Sequence, residues 1–167
     1  MNDRATEQKL STQIEAMKRL GFMLGRWRGA GWTTLEHGRA EFEQEESVRS
    51  LLNGEIITVE GRANDPGNRD DVRFTAFGIA RYDAGAQAYS WRAYSAGNCV
   101  EVPFRVGEGT YRWEFEAAPG VLMRFDGTVA ANTWKEVGRV SLDAGSSWSQ
   151  TFEMSLAKVD DGGIGRT

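Results

Sequence analysis

Hydrophobic and polar positions change their rhythm once along the chain, just after Leu20. Before that point Leu10, Ile14, Met17 and Leu20 recur three or four residues apart, with Lys, Gln and Glu between them. This is the stripe of an amphipathic helix, predicted over 6–20. Thr12 and Glu15 have the spacing of a capping box, and Gly21 suits a left-handed stop. The stripe needs an apolar surface to cover.

Beyond the helix the period is two. Alternation predicts ten strands, over 26–35, 39–51, 55–63, 71–82, 87–94, 98–106, 110–117, 121–129, 133–141 and 147–158. Turn-forming stretches separate them, and Asn53-Gly54 is the strongest hairpin signal. With no second helix, successive strands must pair antiparallel, because parallel neighbours need long crossovers. Closure into a barrel then hides every strand edge, which a two-sheet sandwich does less completely. The expected fold is mainly β, a ten-stranded antiparallel up-and-down barrel with one N-terminal α-helix. Residues 1–21 form the helix that packs on the barrel, 22–158 the barrel domain, and 159–167 a flexible tail without apolar pattern.

Three glycines in GRWRGAGW, residues 25–32, alternate with bulkier residues. That suits a first strand that is sharply bent or closely approached by another backbone. Elsewhere alternation assigns faces: Tyr111, Trp113 and Phe115 share one side of their strand, and Trp148, Gln150, Phe152, Met154 and Leu156 one side of theirs. Glu60, Arg124 and Glu136 fall among apolar residues.

Ten strands enclose an interior wide enough for a small ligand. The expected function is non-catalytic binding of a small hydrophobic or amphipathic molecule, as a carrier or sensor. Trp91, Trp113, Trp134, Trp148 and Phe152 supply its aromatic walls, and Glu60, Arg124, Glu136 and Gln150 orient its polar end. Two other readings stay open: a small enzyme using a buried carboxylate, and a filled barrel that works through its outer surface.

Composition narrows the partners. The 167 residues carry a net charge of −4 with arginines scattered among acids, which argues against nucleic acid and anionic membranes. A homodimer is left open. The single cysteine, Cys99, allows no internal disulfide and is expected to be a semi-buried structural thiol. Neither a signal-peptide core nor a spanning apolar run is present, so a cytoplasmic protein is expected.

Catalytic groupings are scarce. His37, the one histidine, lies in a turn and makes neither a zinc site nor a Ser-His-Asp triad. No G-x-S-x-G elbow or phosphate loop occurs. Neither catalytic residues nor metal ligands nor a cofactor are assigned. Glu45, Glu46, Glu60 and Glu136 are the carboxylates available for acid–base work if burial raises a pKa. The run EFEQEES, 41–47, reads as a solvated strand face whose alternation sends neighbouring acids to opposite sides.

Gly25-Arg26-Trp27, following a short helix, resembles the G-x-W motif of lipocalins and their calycin relatives, and Gly25-x-Trp27-x-Gly29-x-Gly31 resembles the G-x-W-x-G-x-G motif of nitrobindin-like barrels. Across about residues 20–158 the chain is similar to an uncharacterised bacterial family of lipocalin-like barrels. The stretches that carry this are FMLGRWRGAGW, FEQEESVRSLLNGEIITVEGRA, TWKEVGRVSLDAGSSW and TFEMSL. The resemblance implies a barrel in which Trp27 packs across the closed end, and it implies no established activity. Nitrobindins hold ferric haem through a histidine late in the chain, and no such residue is found here, so haem is not expected. The Arg-x-Tyr anchor of fatty-acid-binding proteins is likewise missing from SWSQTFEMSL.

Overall fold

The structure, a computed structural model, describes residues 3–160. A helix α1 (Asp3–Met17) runs into a 3-10 segment (Lys18–Met23) and is followed by ten strands. These are β1 (Gly25–Leu35), β2 (Gly38–Leu51), β3 (Ile56–Asp65), β4 (Asn68–Asp83), β5 (Ala88–Ser95), β6 (Asn98–Val106), β7 (Thr110–Ala118), β8 (Val121–Ala130), β9 (Thr133–Ser141) and β10 (Ser149–Asp160). Each strand pairs antiparallel with its neighbours in sequence, and β1 closes on β10, so the sheet is a complete up-and-down barrel. Among the described residues no helix is long and apolar enough to cross a membrane. Of the expected tail, 161–167 lies outside the described residues, while Val159 and Asp160 belong to β10.

Closure depends on β1, the strand with the unusual glycines. At Gly29 a Cβ would stand 2.0 Å from the Ser155 carbonyl oxygen of β10, a distance no side chain can occupy. Gly25 begins the strand at φ +124°, in the region that favours glycine. The first strand is thus both turned at its start and pressed against the last.

One end of the barrel is plugged. Met17, Leu20 and Met23 are buried there with Trp27, whose indole Nε1 donates to the Met23 carbonyl at 2.9 Å. Trp27 meets Trp134 edge to face, with ring centroids 5.7 Å apart. Two long-range bonds fix the helix on this end: Gln13 Nε2 to the Glu55 carbonyl at 3.0 Å, and Tyr89 OH to the Ala16 carbonyl at 2.6 Å.

The helix differs from expectation at both ends. Thr12 is no cap, because its hydroxyl bonds back to the Gln8 carbonyl one turn earlier within the helix. The α-helix tightens into the 3-10 segment before Gly21, and Leu24 N–H closes that segment on the Gly21 carbonyl.

At the opposite end the β1–β2, β3–β4, β5–β6 and β7–β8 hairpins and the β9–β10 loop surround a mouth. One seam of the wall leads to it. Register between β6 and β7 is confined to Arg105↔Arg112 and Val106↔Tyr111, near the plugged end. Toward the mouth the two strands part.

Candidate functional site

The inner faces of the strands leave a cavity of about 370 Å³ above the plug. Its walls are aromatic: Trp91 stacks on Phe104 at 5.1 Å, and Trp113 on Phe125 at 4.4 Å. Glycines on adjacent strands make room for the large side chains. A Cβ at Gly78 would lie 2.0 Å from the Trp91 ring, and one at Gly127 would lie 2.0 Å from the Tyr111 ring.

Polar groups collect at the floor. On β2 the inward positions read Phe42, Gln44, Glu46 and Val48, all buried, so two polar residues sit between two apolar ones. Gln44 Nε2 donates to Glu46 Oε1 at 2.7 Å, and the Glu46 carboxyl packs on Gly61, its register partner on β3. Across the cavity Trp134 Nε1 donates to the Tyr111 hydroxyl at 3.0 Å, and that hydroxyl donates in turn to Glu136. Gln44 Oε1, Glu46 Oε2 and Trp91 Nε1 are buried without a hydrogen-bond partner. Orphaned polar atoms at this depth are rare, since each forfeits its hydration.

Both carboxyls resist ionisation. Burial pushes Glu46 up to about 8, helped by the charge of Glu136 and opposed by the bond from Gln44. Glu136 is raised to about 7, again chiefly by burial, with Asp126 adding to the effect and Tyr111 opposing it. The Tyr111 phenol is raised too, through burial and the neighbouring Glu136. Among the described residues no lysine, arginine or histidine lines this cavity. Negative charge is therefore resisted, and its natural counter-charge is missing.

Trp91, Trp113, Trp134, Phe152 and Glu136 come together on the cavity lining. The other four expected residues lie on the outer wall. β3 turns Ile57, Val59, Gly61 and Ala63 inward, which sends Glu60 out to face Arg49 with 62% of its side chain exposed. On β8 the odd positions Phe125 and Val129 turn inward, and Arg124 points out to bond Glu114 at 2.7 Å. The Arg124 guanidinium also lies 3.9 Å over the Trp148 ring, whose Nε1 bonds the Gly145 carbonyl. Gln150 is exposed and bonds Glu153.

A register shift in β10 between Gln150 and Phe152 explains the last two. One extra residue there reverses the faces of everything before it. Cys99 is exposed, where a semi-buried thiol was expected, because it occupies an outward position at the start of β6. His37 is exposed in the β1–β2 turn.

Sequence reasoning named Glu46 only among general carboxylates and did not place Gln44 or Tyr111 at the site. The available signal was an inward parity on β2 that puts Gln44 and Glu46 between Phe42 and Val48. Among the described residues no group of three His, Cys, Asp or Glu side chains is arranged to hold a metal ion.

No family model matches the chain, and no curated protein matches it as a relative. Among solved structures, the crystal structure of Rv2717c from M. tuberculosis is similar, with a TM-score of 0.64 and 11% sequence identity, over 86% of this chain and 96% of that one. What the two chains share is a fold, and this chain is by that likeness and its own topology a closed ten-stranded antiparallel β-barrel.

Proposed function

We propose that the protein binds a small amphipathic molecule inside the barrel, as a lipocalin-like carrier or sensor. The observation that carries this reading is the void itself: about 370 Å³ walled by aromatic rings, with three orphaned polar atoms at or near its floor. Apolar enclosure with a few convergent polar groups is the usual form of a small-molecule site. The same void speaks against a barrel packed solid with side chains.

A second reading has one specific observation in its favour. Glu136, raised to about 7, is poised to take or give a proton near neutral pH, as a general acid–base residue must. Binding remains the better supported of the two, because the aromatic enclosure and the orphaned polar atoms favour it and only the raised Glu136 carboxyl favours catalysis.

The test uses N-phenylnaphthylamine, an uncharged probe whose fluorescence rises in apolar surroundings. The native protein is expected to enhance it saturably, and Ala93→Trp, which fills the cavity from β5, to abolish the enhancement. Absence of enhancement, or enhancement that survives in the folded Ala93→Trp variant, overturns the reading.

A further inference from the structure

Among the orphaned atoms of the cavity acceptors outnumber donors, Trp91 Nε1 being a donor on the wall. The two acceptors, Gln44 Oε1 and Glu46 Oε2, lie within one hydrogen-bonded pair of side chains. Glu136 adds a second carboxyl close enough to repel charge on the first. Around them stand Trp91, Trp113 and Trp134, and among the described residues no cationic side chain lines the space.

We infer that the cognate ligand is an amine, with an ammonium head seated on Glu46 and Gln44 and an apolar, ring-containing body between the tryptophans. This rests on the cavity-binding reading above and names the class of molecule that the cavity selects. Three independent features favour it.

The head of such a ligand is purely a donor, so it satisfies the orphaned acceptors that a carbonyl or carboxylate leaves bare. Its charge offsets a carboxylate on Glu46, whose ionisation burial and the neighbouring Glu136 otherwise oppose. Aromatic faces attract a cation most strongly where water is excluded. A fatty acid has the opposite fit. It would bring a third carboxyl to a floor that already suppresses ionisation of two.

Gln44 gives the geometry its direction. Its amide nitrogen is already committed to Glu46 Oε1, which leaves its oxygen and Glu46 Oε2 as the free acceptors of the pair. Because Gly61 has no side chain, the carboxyl lies deep against β3, away from the mouth. The ammonium must therefore enter first and the body follow.

Phenylbutylamine, phenylbutanol and phenylbutyrate share one body and differ in the head, so calorimetric titration of the native protein with all three separates the effects. The amine is expected to bind about tenfold tighter than the alcohol at neutral pH, with the carboxylate weakest. In Glu46→Gln the amine is expected to fall to within about threefold of the alcohol, while alcohol affinity holds and so reports an intact cavity. An alcohol that binds as tightly as the amine, or a carboxylate that binds tighter, overturns the amine assignment and leaves cavity binding standing. Failure of all three to bind overturns the cavity reading with it.

Discussion

Tyr111 reaches Glu136 by crossing a glycine: Gly127 on β8 is the register partner of both, and the phenol lies where its Cβ would be. Gly127→Ala is therefore expected to displace the ring and release Glu136 into the cavity without its donor. Overpacking of this kind costs about 1–3 kcal/mol, and the lost charged hydrogen bond adds about 1–2 more. Tyr111→Phe removes the hydroxyl alone and is expected to show only the second part. Urea denaturation of both variants checks the order. Equal stability of Gly127→Ala and wild type would mean that the ring does not need the space.

The pH dependence of stability follows from the same buried carboxyls. Glu46 ionises near its ordinary value of 4.5 once unfolded but only about 8 in the folded protein, and Glu136 is shifted the same way, to about 7. Through that window the folded state holds protons that the unfolded state has released. Stability must then fall as pH rises, by an amount on the order of a few kcal/mol before other groups are added. Asp143 has the opposite shift, down to about 2, but its stabilisation is complete above its ordinary 3.8 and does not oppose the trend. Urea midpoints are expected to decline from about pH 5 to pH 8, and the decline to flatten in Glu46→Gln. A wild-type midpoint that rises through this range would contradict the burial of both groups.

Much of this architecture can be read from alternation alone, and the exceptions have local causes. Trp113 and Phe115 face inward as their strand predicts, because β7 alternates cleanly through both. Trp148 and Gln150 face outward because one bulge, carried by no special residue type, reverses parity between Gln150 and Phe152. β3 is ambiguous for another reason. Ile56 and Thr58 make its outer face look as apolar as the inner face of Ile57 and Val59, so the orientation of Glu60 is undetermined by pattern. The polar floor was hardest to see, since Gln44 and Glu46 belong to a run of acids that otherwise reads as a solvated face. Parity with Phe42 and Val48 hints at the inward set, and the barrel settles it by bringing Gly61 opposite Glu46.

Gly29→Ala is expected to be the most damaging single methyl in the chain. Its Cβ would meet the Ser155 carbonyl at 2.0 Å and the Leu156 Cα at 2.9 Å, both backbone atoms that cannot rotate away. The β1–β10 ladder must open there, and with it the closure that joins the first strand to the last. A loss of about 3 kcal/mol or more and a tendency to associate through the exposed edge are expected. Thermal melts and light scattering check this, with Gly21→Ala, which meets no neighbour within 4 Å, as the neutral control.

Hydrogen exchange should find the parted seam. Pairing of β6 with β7 ends after Arg105↔Arg112, yet β6 stays paired to β5 as far as Asn98, and β7 to β8 as far as Ala118. Each strand therefore has one protected edge and one bare edge between that last pair and the mouth. Amides of 99–102, 104 and 113–117 that point into the seam lack a partner strand (Pro103 has no amide proton), and exchange protection follows backbone pairing rather than strand content. Alternate amides in those two stretches are expected to exchange at least about tenfold faster than their neighbours, which point at β5 and β8. A ligand bridging the inner faces of β6 and β7 holds the strands together and is expected to narrow that difference. Residue-resolved exchange by NMR checks both statements, and uniform protection along β6 and β7 would show the seam to be closed in solution.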